Sequence, residues 1–390
     1  MNNIKNIIII YDYGYINGGA AKVAINNAIS LSKIDNLNVF YYCGSGPICE
    51  ELIKSKVNIK CLNLNDINHR TMIDTFFSGI FNKKVYKNLK LFLKDFSNKD
   101  TMIHIQGWSH SLSCSIFKAI NELGFKRVIT LHDYFTCCPN GGFLNYKKYE
   151  ICKYKALSVK CKFCNCDKRN YLQKVWRVIR TNRLKKYLKD NENFIYLSKL
   201  SKDVISKYYP NANYYYYPNE IDKFKYISNG ISNKEYFLYM GRITKEKGVV
   251  DFCEAITLGR YKGIVIGDGE QRQELEKKYP NIEFLGWLEK DQIEEILPKV
   301  KALVFPSIWY EVSPLTVPEM LSSHIPCIVS DCCAAKEHIV DGLNGFVYKA
   351  SSISELLKYL KSIDSIHDFV FESNTSNETK LISIYMEIFL

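Results

Sequence analysis

Proline and glycine are scarce in this chain, 10 and 20 of 390 residues, which excludes collagen-like and low-complexity architectures. No apolar run approaches the roughly 18–20 residues that a membrane-spanning helix needs. The apolar stretch Ile7–Ile10 is too short for the hydrophobic region of a secretion signal, and no small-residue cleavage site follows it. It ends at Asp12-Tyr13-Gly14, as a buried strand meeting a loop would. No repeat of 20–50 residues is visible, so solenoids and propellers are excluded. Cysteine is not scarce at 14 residues, but a chain this long with 47% hydrophobic residues is no disulfide-stapled scaffold. The thiols imply a reducing, cytoplasmic compartment, and Cys43, Cys253 and Cys327 stand alone in apolar stretches as small hydrophobes.

What is present is ordinary globular composition, 24% charged, at a length that predicts two domains. The net charge of +12 is unevenly spread. Residues 1–217 hold 34 Lys and Arg against 15 Asp and Glu, while residues 218–390 hold 19 against 26. The densest stretch, 147–189, has 15 basic residues against Glu150 and Asp167. Such asymmetry fits an anionic partner of the first half (a membrane surface, a nucleic acid or a charged substrate) or a solvated basic face.

Apolar strands alternate with 3.6-residue helical patterns along the whole chain, the rhythm of βαβ units and parallel sheets. Strands are expected at Lys5–Tyr11, Leu37–Cys43, Val57–Leu64, Met102–Gln106, Arg127–Leu131 and Tyr214–Asn219 in the first half. The second half adds Tyr236–Met240, Gly263–Ile266, Ile282–Leu285, Ala302–Phe305 and Cys327–Ser330. The boundary is placed after Tyr217, where charge changes sign. This gives an N-terminal α/β domain over 1–217 with a Cys-rich basic insert at 137–190, a second over 218–374, and a C-terminal helix at 375–390 that packs back on the first. Two doubly wound domains facing each other form a cleft at the carboxyl ends of both sheets, the usual ligand position.

Four segments carry the chemistry. Gly241-Arg242-Ile243-Thr244-Lys245-Glu246-Lys247-Gly248 joins a strand to a helix and offers two cations to a diphosphate. Gly267-Asp268-Gly269-Glu270 and Phe284-Leu285-Gly286-Trp287-Leu288 follow two further strands. The segment from Phe305 to Met320, FPSIWYEVSPLTVPEM, runs from a strand through a loop into a helix, with Glu311 and Glu319 eight residues apart. Backbone N–H groups at that helix start favour phosphate. His132 closes the strand in TLHDYF, where it either reaches the cleft or serves as a satisfied structural histidine; Asp133 braces that loop.

In order and content these segments resemble retaining glycosyltransferase family 4, of the bacterial surface-polysaccharide type, which has the GT-B fold: two Rossmann-like domains across a cleft. The family's Glu-x7-Glu pair matches Glu311 and Glu319, and the likeness extends to YINGGAAKVAINNAISL, TLHDYFTCCPNGG and YYYYPNEID in the first half. Two departures are visible: Met320 follows the second glutamate where alanine is usual, and Glu220 follows Pro218-Asn219 where a small residue is usual. The resemblance implies transfer of a sugar from a nucleotide-sugar donor, UDP- or GDP-linked, to a glycan or lipid-linked acceptor, with retention, in O-antigen, capsule or exopolysaccharide assembly at the cytoplasmic leaflet. It implies that Arg242 and Lys247 bind the diphosphate, Glu319 the ribose and Glu311 the sugar. Backbone around Ser313, Leu315 and Thr316 holds the β-phosphate or sugar, residues near Trp287 border the base, Gly18 and Gly19 let backbone approach the diphosphate and acceptor, and His132 reaches the sugar. A front-face path, in which a diphosphate oxygen takes the acceptor proton, fits a cationic site; Glu311 as covalent nucleophile is the lesser reading. No two aspartates are two residues apart, so the Asp-x-Asp metal pair is missing and divalent-metal independence is expected. A GT-B-like epimerase or phosphorylase is the alternative. A zinc- and nucleic-acid-binding protein is the remote one, since no nucleic-acid module is recognisable.

Two features of the insert stand apart. Cys152, Cys161, Cys164 and Cys166, or Cys138 in place of one, form a cluster with three readings: structural zinc on the Cys161-x2-Cys164 spacing, packed reduced thiols, or a redox disulfide. Lys168–Asp190 reads as a basic amphipathic helix. Its apolar face (Leu172, Val175, Trp176 and Ile179, continued by Leu184, Tyr187 and Leu188) is expected in the core, and its cations (Lys174, Arg177, Arg180, Arg183, Lys185, Lys186) face phospholipid or a lipid diphosphate, making the protein peripheral on the membrane.

Overall fold

Ile7, Ile8, Ile9 and Ile10 are all fully buried in the computed structural model, so the strand they build must be covered on both faces. The structure describes residues 4–65, 72–230, 234–366 and 378–389. That strand, β1 (Asn6–Tyr13), is an interior strand of a parallel seven-stranded sheet. It pairs with β2 (Asn38–Ser45) and β4 (Thr101–Ile105), beyond which lie β3 (Asn58–Cys61) and β5 (Lys126–Thr130); the two-residue strands β6 (Leu144–Asn145) and β7 (Glu150–Ile151) pair separately. With β8 (Asn193–Tyr196) and β9 (Asn213–Tyr216) the order is β3-β2-β1-β4-β5-β8-β9. Ile7 pairs with Val39 on one side and Met102 on the other.

The second sheet holds six parallel strands: β10 (Tyr236–Met240), β11 (Lys262–Ile266), β12 (Ile282–Gly286), β13 (Val300–Phe305), β14 (Cys327–Ser330) and β15 (Gly345–Tyr348). Their order, β12-β11-β10-β13-β14-β15, reverses direction beside β10, as the first sheet does beside β1. Each reversal leaves a crevice at the strands' carboxyl ends. Apolar clusters fill both faces of this sheet, one around Phe237, Phe252 and Val304, the other around Leu238, Leu303 and Met320.

Helices used below are α1 (Gly19–Leu31), α2 (Met72–Ile80), α3 (Tyr171–Lys185), α4 (Val249–Gly259), α5 (Thr316–Ser322) and α6 (Glu378–Phe389). α6 lies on the first sheet. Its Tyr385 hydroxyl is 2.7 Å from His104 Nδ1, and Lys126 Nζ donates to the carbonyls of Ile388 and Phe389. Burial holds the His104 imidazole neutral, its pKa pushed down to about 3. Residues 375–377 and 390 of the expected helix lie outside the described residues.

α3 corrects two expectations. Its buried side includes Lys174, Trp176, Val178, Arg180 and Leu184, while Leu172, Val175 and Ile179 are exposed. The reason lies in local partners. Lys174, 0% exposed, donates to Cys166 Sγ at 3.1 Å and Cys161 Sγ at 3.5 Å. Arg180 donates to the Ser109 carbonyl at 3.1 Å and lies over the Phe135 ring. The structure does not support the zinc reading either. Among the described residues no group of three or more His, Cys, Asp or Glu could hold a metal ion. An ammonium occupies the space between Cys161 and Cys166, where a second cation would be repelled. All 14 cysteines are free thiols, so Cys138, Cys152, Cys161, Cys164 and Cys166 form no disulfide either.

Candidate active site

The site begins with a glycine. Gly248 sits at φ +70°, and a Cβ there would lie 1.9 Å from the carbonyl oxygen of Pro306. Only glycine allows the loop after β10 to press so closely on the loop after β13. The two loops are then stitched together, since Ile308 N–H donates to the Glu246 carbonyl at 3.0 Å. The one 3₁₀ turn Lys245–Lys247 therefore delivers Lys247 to the loop that carries Glu311.

Lys247 Nζ and the Glu311 carboxylate form an ion pair, and Ser307 Oγ donates to Glu311 Oε2 at 3.0 Å. Both ion-pair side chains are mostly enclosed, 13% and 14% exposed, and the ammonium also lies 5.9 Å from the centroid of the Trp309 ring. Partial removal from water strengthens such a pair, because the effective dielectric falls. Arg242, on the same loop, is exposed, and its carbonyl accepts from the Tyr239 hydroxyl. Gly267 follows β11 with φ +131°, its absent Cβ facing the Gly241 carbonyl at 2.0 Å, so the loops leaving β10 and β11 also touch.

Glu319 stands in α5, in a small enclosure with Lys22, Asn26, Asp222 and Leu315. Burial pushes its carboxyl up to about 7, against the opposing pull of the Lys22 ammonium. Lys22 of α1 is ion-paired to Asp222, so this corner joins the two halves of the molecule. The free volume there is about 10 Å³, room for about one water. Gly18 precedes α1, and a Cβ on Gly19 would lie 3.4 Å from Leu315 Cδ1. The start of α1 thus faces the start of α5 across the cleft. Ser313 Oγ accepts from Asn219 Nδ2 at 3.2 Å, and Thr316 is the first residue of α5.

His132 follows β5. Its Nε2 is 3.0 Å from Gln106 Oε1, and burial pushes its pKa down to about 4, so the ring is neutral. Asp133 accepts from Phe135 N–H, and burial raises its carboxyl to about 6. Trp287 is 76% exposed, on the loop after β12.

The structure therefore gathers Arg242, Lys247, Glu311, Ser313 and Leu315 on the loops after β10 and β13, and Thr316 and Glu319 at the start of α5, with Gly18 and Gly19 opposite. It leaves Trp287 in solvent. Residues not singled out from sequence also belong here. Ser307 orients Glu311, Lys22 and Asp222 flank Glu319, and Lys168 bridges to Glu270 at 2.9 Å and Glu246 at 3.9 Å. Ser307, Lys22 and Asp222 lie inside segments already prominent by their motifs; Lys168 had no signal beyond charge.

Residues 220–367 match the family described as Glycosyl transferases group 1. Over 142 residues the chain is 31% identical to the lipopolysaccharide 1,6-galactosyltransferase of Salmonella typhimurium, covering 33% of this chain and 39% of that one. It is 27% identical over 142 residues to the Escherichia coli UDP-Gal:alpha-D-GlcNAc-diphosphoundecaprenol alpha-1,3-galactosyltransferase, covering 33% and 36%. The matched stretch spans about two fifths of the length of these curated relatives. Among solved structures, Anabaena HepE in complex with UDP and glucose aligns over 93% of this chain and 89% of its own, at a TM-score of 0.58 and 15% identity. That last likeness is one of fold.

Proposed function

Starting from a glycosyl transferases group 1 domain at residues 220–367 on a chain with the GT-B fold, we propose that the protein is a retaining glycosyltransferase. It moves a sugar from a nucleotide-sugar donor to a glycan or lipid-linked acceptor in surface-polysaccharide assembly. A UDP-linked donor is favoured over a GDP-linked one, because the E. coli relative is named for UDP-Gal and the Anabaena structure holds UDP. The lipid-linked acceptor named for that relative supports a place at the cytoplasmic leaflet.

The observation that carries this reading is the Lys247–Glu311–Ser307 arrangement, beside exposed Arg242 at the carboxyl ends of β10 and β13. When the anomeric C–O bond to the diphosphate breaks, negative charge grows on the leaving phosphate. Lys247 and Arg242 are preorganised cations for that charge, which is where electrostatic catalysis is strongest. The leaving diphosphate oxygen takes the proton of the acceptor hydroxyl as that hydroxyl attacks the same face of the sugar. Glu311 is engaged by an ammonium and a hydroxyl, which weakens it as a covalent nucleophile and suits it to hold sugar hydroxyls. Glu319 binds the ribose, which requires the Lys22–Asp222 pair beside it to part. Gly18 and Gly19 bring backbone to the diphosphate. Neutral His132 contacts the sugar as a hydrogen-bonding group, without charge.

A thermal-shift panel of UDP-, GDP-, ADP- and dTDP-sugars, followed by acceptor screening with the best donor, tests the reading. A donor that stabilises the protein and yields transferred sugar with retained configuration supports it. Absence of any nucleotide-sugar shift would sink it.

A further inference from the structure

The loop that carries Glu311 leaves the second sheet, but its side chains are seated on the first. Trp309 lies against Gly142, where a Cβ would come within 3.2 Å of the indole ring. The Tyr310 ring stands 6.5 Å, centroid to centroid, from Tyr134 and 6.5 Å from Phe143, in the edge-on and tilted geometries that aromatic pairs favour. Val312 is buried within the apolar cluster of the first sheet. Trp309, Tyr310 and Val312 thus flank Glu311, and all three pack on the opposite domain.

Behind the loop stands the segment that follows β14. Cys332 Sγ donates to the Ser307 carbonyl at 3.1 Å, and Ala334 N–H donates to the Glu311 carbonyl at 3.0 Å. Ala334 opens the 3₁₀ turn Ala334–His338, whose Glu337 reaches across to the first domain. Its carboxylate accepts from the N–H groups of Lys199 and Leu200 at 2.8 and 2.7 Å. Those residues begin the helix Lys199–Ser206, where unpaired N–H groups and the positive end of the dipole favour an anion. The Glu311 loop and this turn therefore form one unit with two holds on the first domain, an aromatic one at Tyr310 and a charged one at Glu337.

Domains of one chain move relative to each other unless a large apolar interface prevents it. A packed aromatic seat is filled or empty, with little between. When the domains part, Tyr310 and Val312 lose their cover together, and Trp309 loses Gly142. Trp309 is also the ring beside which Lys247 lies, 5.9 Å from its centroid. The geometry of the Lys247–Glu311 pair thus depends on a seat in the opposite domain.

We propose that Tyr310 is a positioning residue for transfer: seated on Tyr134 and Phe143 in the closed molecule, it fixes the Trp309–Val312 loop and so aligns Lys247 with Glu311, while Glu337 on the helix Lys199–Ser206 holds the same closure at a second point. The positioning role rests on the transferase reading; the two-point latch does not.

The test takes the full chain and begins with hydrogen exchange over 197–203 and 307–316. Tyr310→Ala should speed exchange in 197–203 about tenfold or more, since burial of the ring contributes to closure. Glu337→Ala should speed exchange in 307–316 about two- to fivefold, the scale of one charge at a helix end. Each variant thus loosens the hold that it does not touch, whereas Tyr310→Phe should exchange as wild type. The second readout is transfer from the donor that the thermal-shift panel selects, well below each melting temperature. Tyr310→Ala should lower kcat about tenfold or more and leave donor Kd within about threefold, because misplacement of reacting groups falls on the chemical step. Tyr310→Phe, which keeps the ring, should hold kcat within about twofold. A merely structural role would lower the melting temperature without this split. Exchange that changes only at the substituted contact, or wild-type kcat in Tyr310→Ala, would overturn the proposal. If Tyr310→Ala does not fold, Glu337→Ala decides, since that side chain is exposed: unchanged exchange over 307–316 would overturn the latch. A wild type that transfers no sugar from any donor, with both exchange responses as stated, would remove the transferase reading and Tyr310's role in it, and the latch would stand.

Discussion

Replacing Lys247 by alanine separates catalysis from architecture. Lys247 does two things in the resting structure: it pairs with Glu311 and sits against Trp309. Losing it leaves a mostly enclosed carboxylate with Ser307 as its remaining close donor. An unmatched buried polar group costs about 1–3 kcal/mol, so a modest drop in melting temperature is expected. The catalytic loss should be larger in kind. In the transition state the ammonium faces a phosphate whose charge is rising, and removal of one such preorganised donor costs about 2.7–4 kcal/mol, or about 10²–10³ in rate. The split between kinetic parameters is the decisive feature. A contact that strengthens only as the bond breaks lowers kcat more than it raises donor KM. The assay is initial-rate transfer at saturating acceptor, with donor affinity measured separately by calorimetry. Glu311→Gln in the same background closes a double-mutant cycle, because it removes the ion pair without removing Lys247. If Lys247→Ala keeps kcat within about threefold of wild type while its stability falls, Lys247 is a loop clamp and the leaving-group argument is wrong.

Three further outcomes follow from the same geometry. Chelation with EDTA should leave turnover nearly intact, because two cations neutralise the diphosphate; loss of activity restored only by Mg²⁺ or Mn²⁺ would contradict this. The Glu319 carboxyl is raised to about 7 in the fold, above its value in the unfolded chain, so its penalty is absent at low pH and grows as pH rises towards 7. Glu319→Gln should therefore stabilise the protein at pH 8, by about 1–3 kcal/mol, and have little effect near pH 4; parallel melting-temperature curves for the two proteins would refute it. Tyr385→Phe strips the buried His104 of a partner 2.7 Å away and should cost about 1–3 kcal/mol in denaturant unfolding, whereas an unchanged midpoint would show that α6 is not anchored there.

The strands legible in sequence were those whose burial is written in composition. Ile7–Ile10 and Phe237–Met240 are short apolar runs between polar ends, and both prove central. Asn193–Tyr196 and Gly345–Tyr348 have four residues each, too few for a period to show, and were not foreseen. The helix Met72–Ile80 also escaped notice. The spacing of Glu311 and Glu319 could be read along the chain, but the pairing of Glu311 with Lys247 joins residues 64 apart and depends on Gly248 admitting Pro306. The error over α3 has a single physical cause. Periodicity assigns the apolar side to the core by default, and it is blind to a particular thiol pair that accepts Lys174 or a carbonyl that accepts Arg180.

The charge asymmetry read from composition divides, in the structure, among three destinations. Part of it is buried within the first domain. Arg127 pairs with Glu192 at 2.6 Å, Arg177 with Asp167, and Lys174 with two thiols. Part joins the halves, and in three such contacts the donor is on the first and the acid on the second. Lys22 reaches Asp222, Lys168 reaches Glu270 and Glu246, and the backbone N–H groups of Lys199 and Leu200 reach Glu337. The sign difference thus acts first between domains, drawing the acidic half onto the basic one, and the corner it closes is where Glu319 stands. Only the remainder is free for an external anion. Counting cations along the chain therefore overstates any membrane attraction, and treating Arg177 or Arg180 as lipid-facing misplaces it.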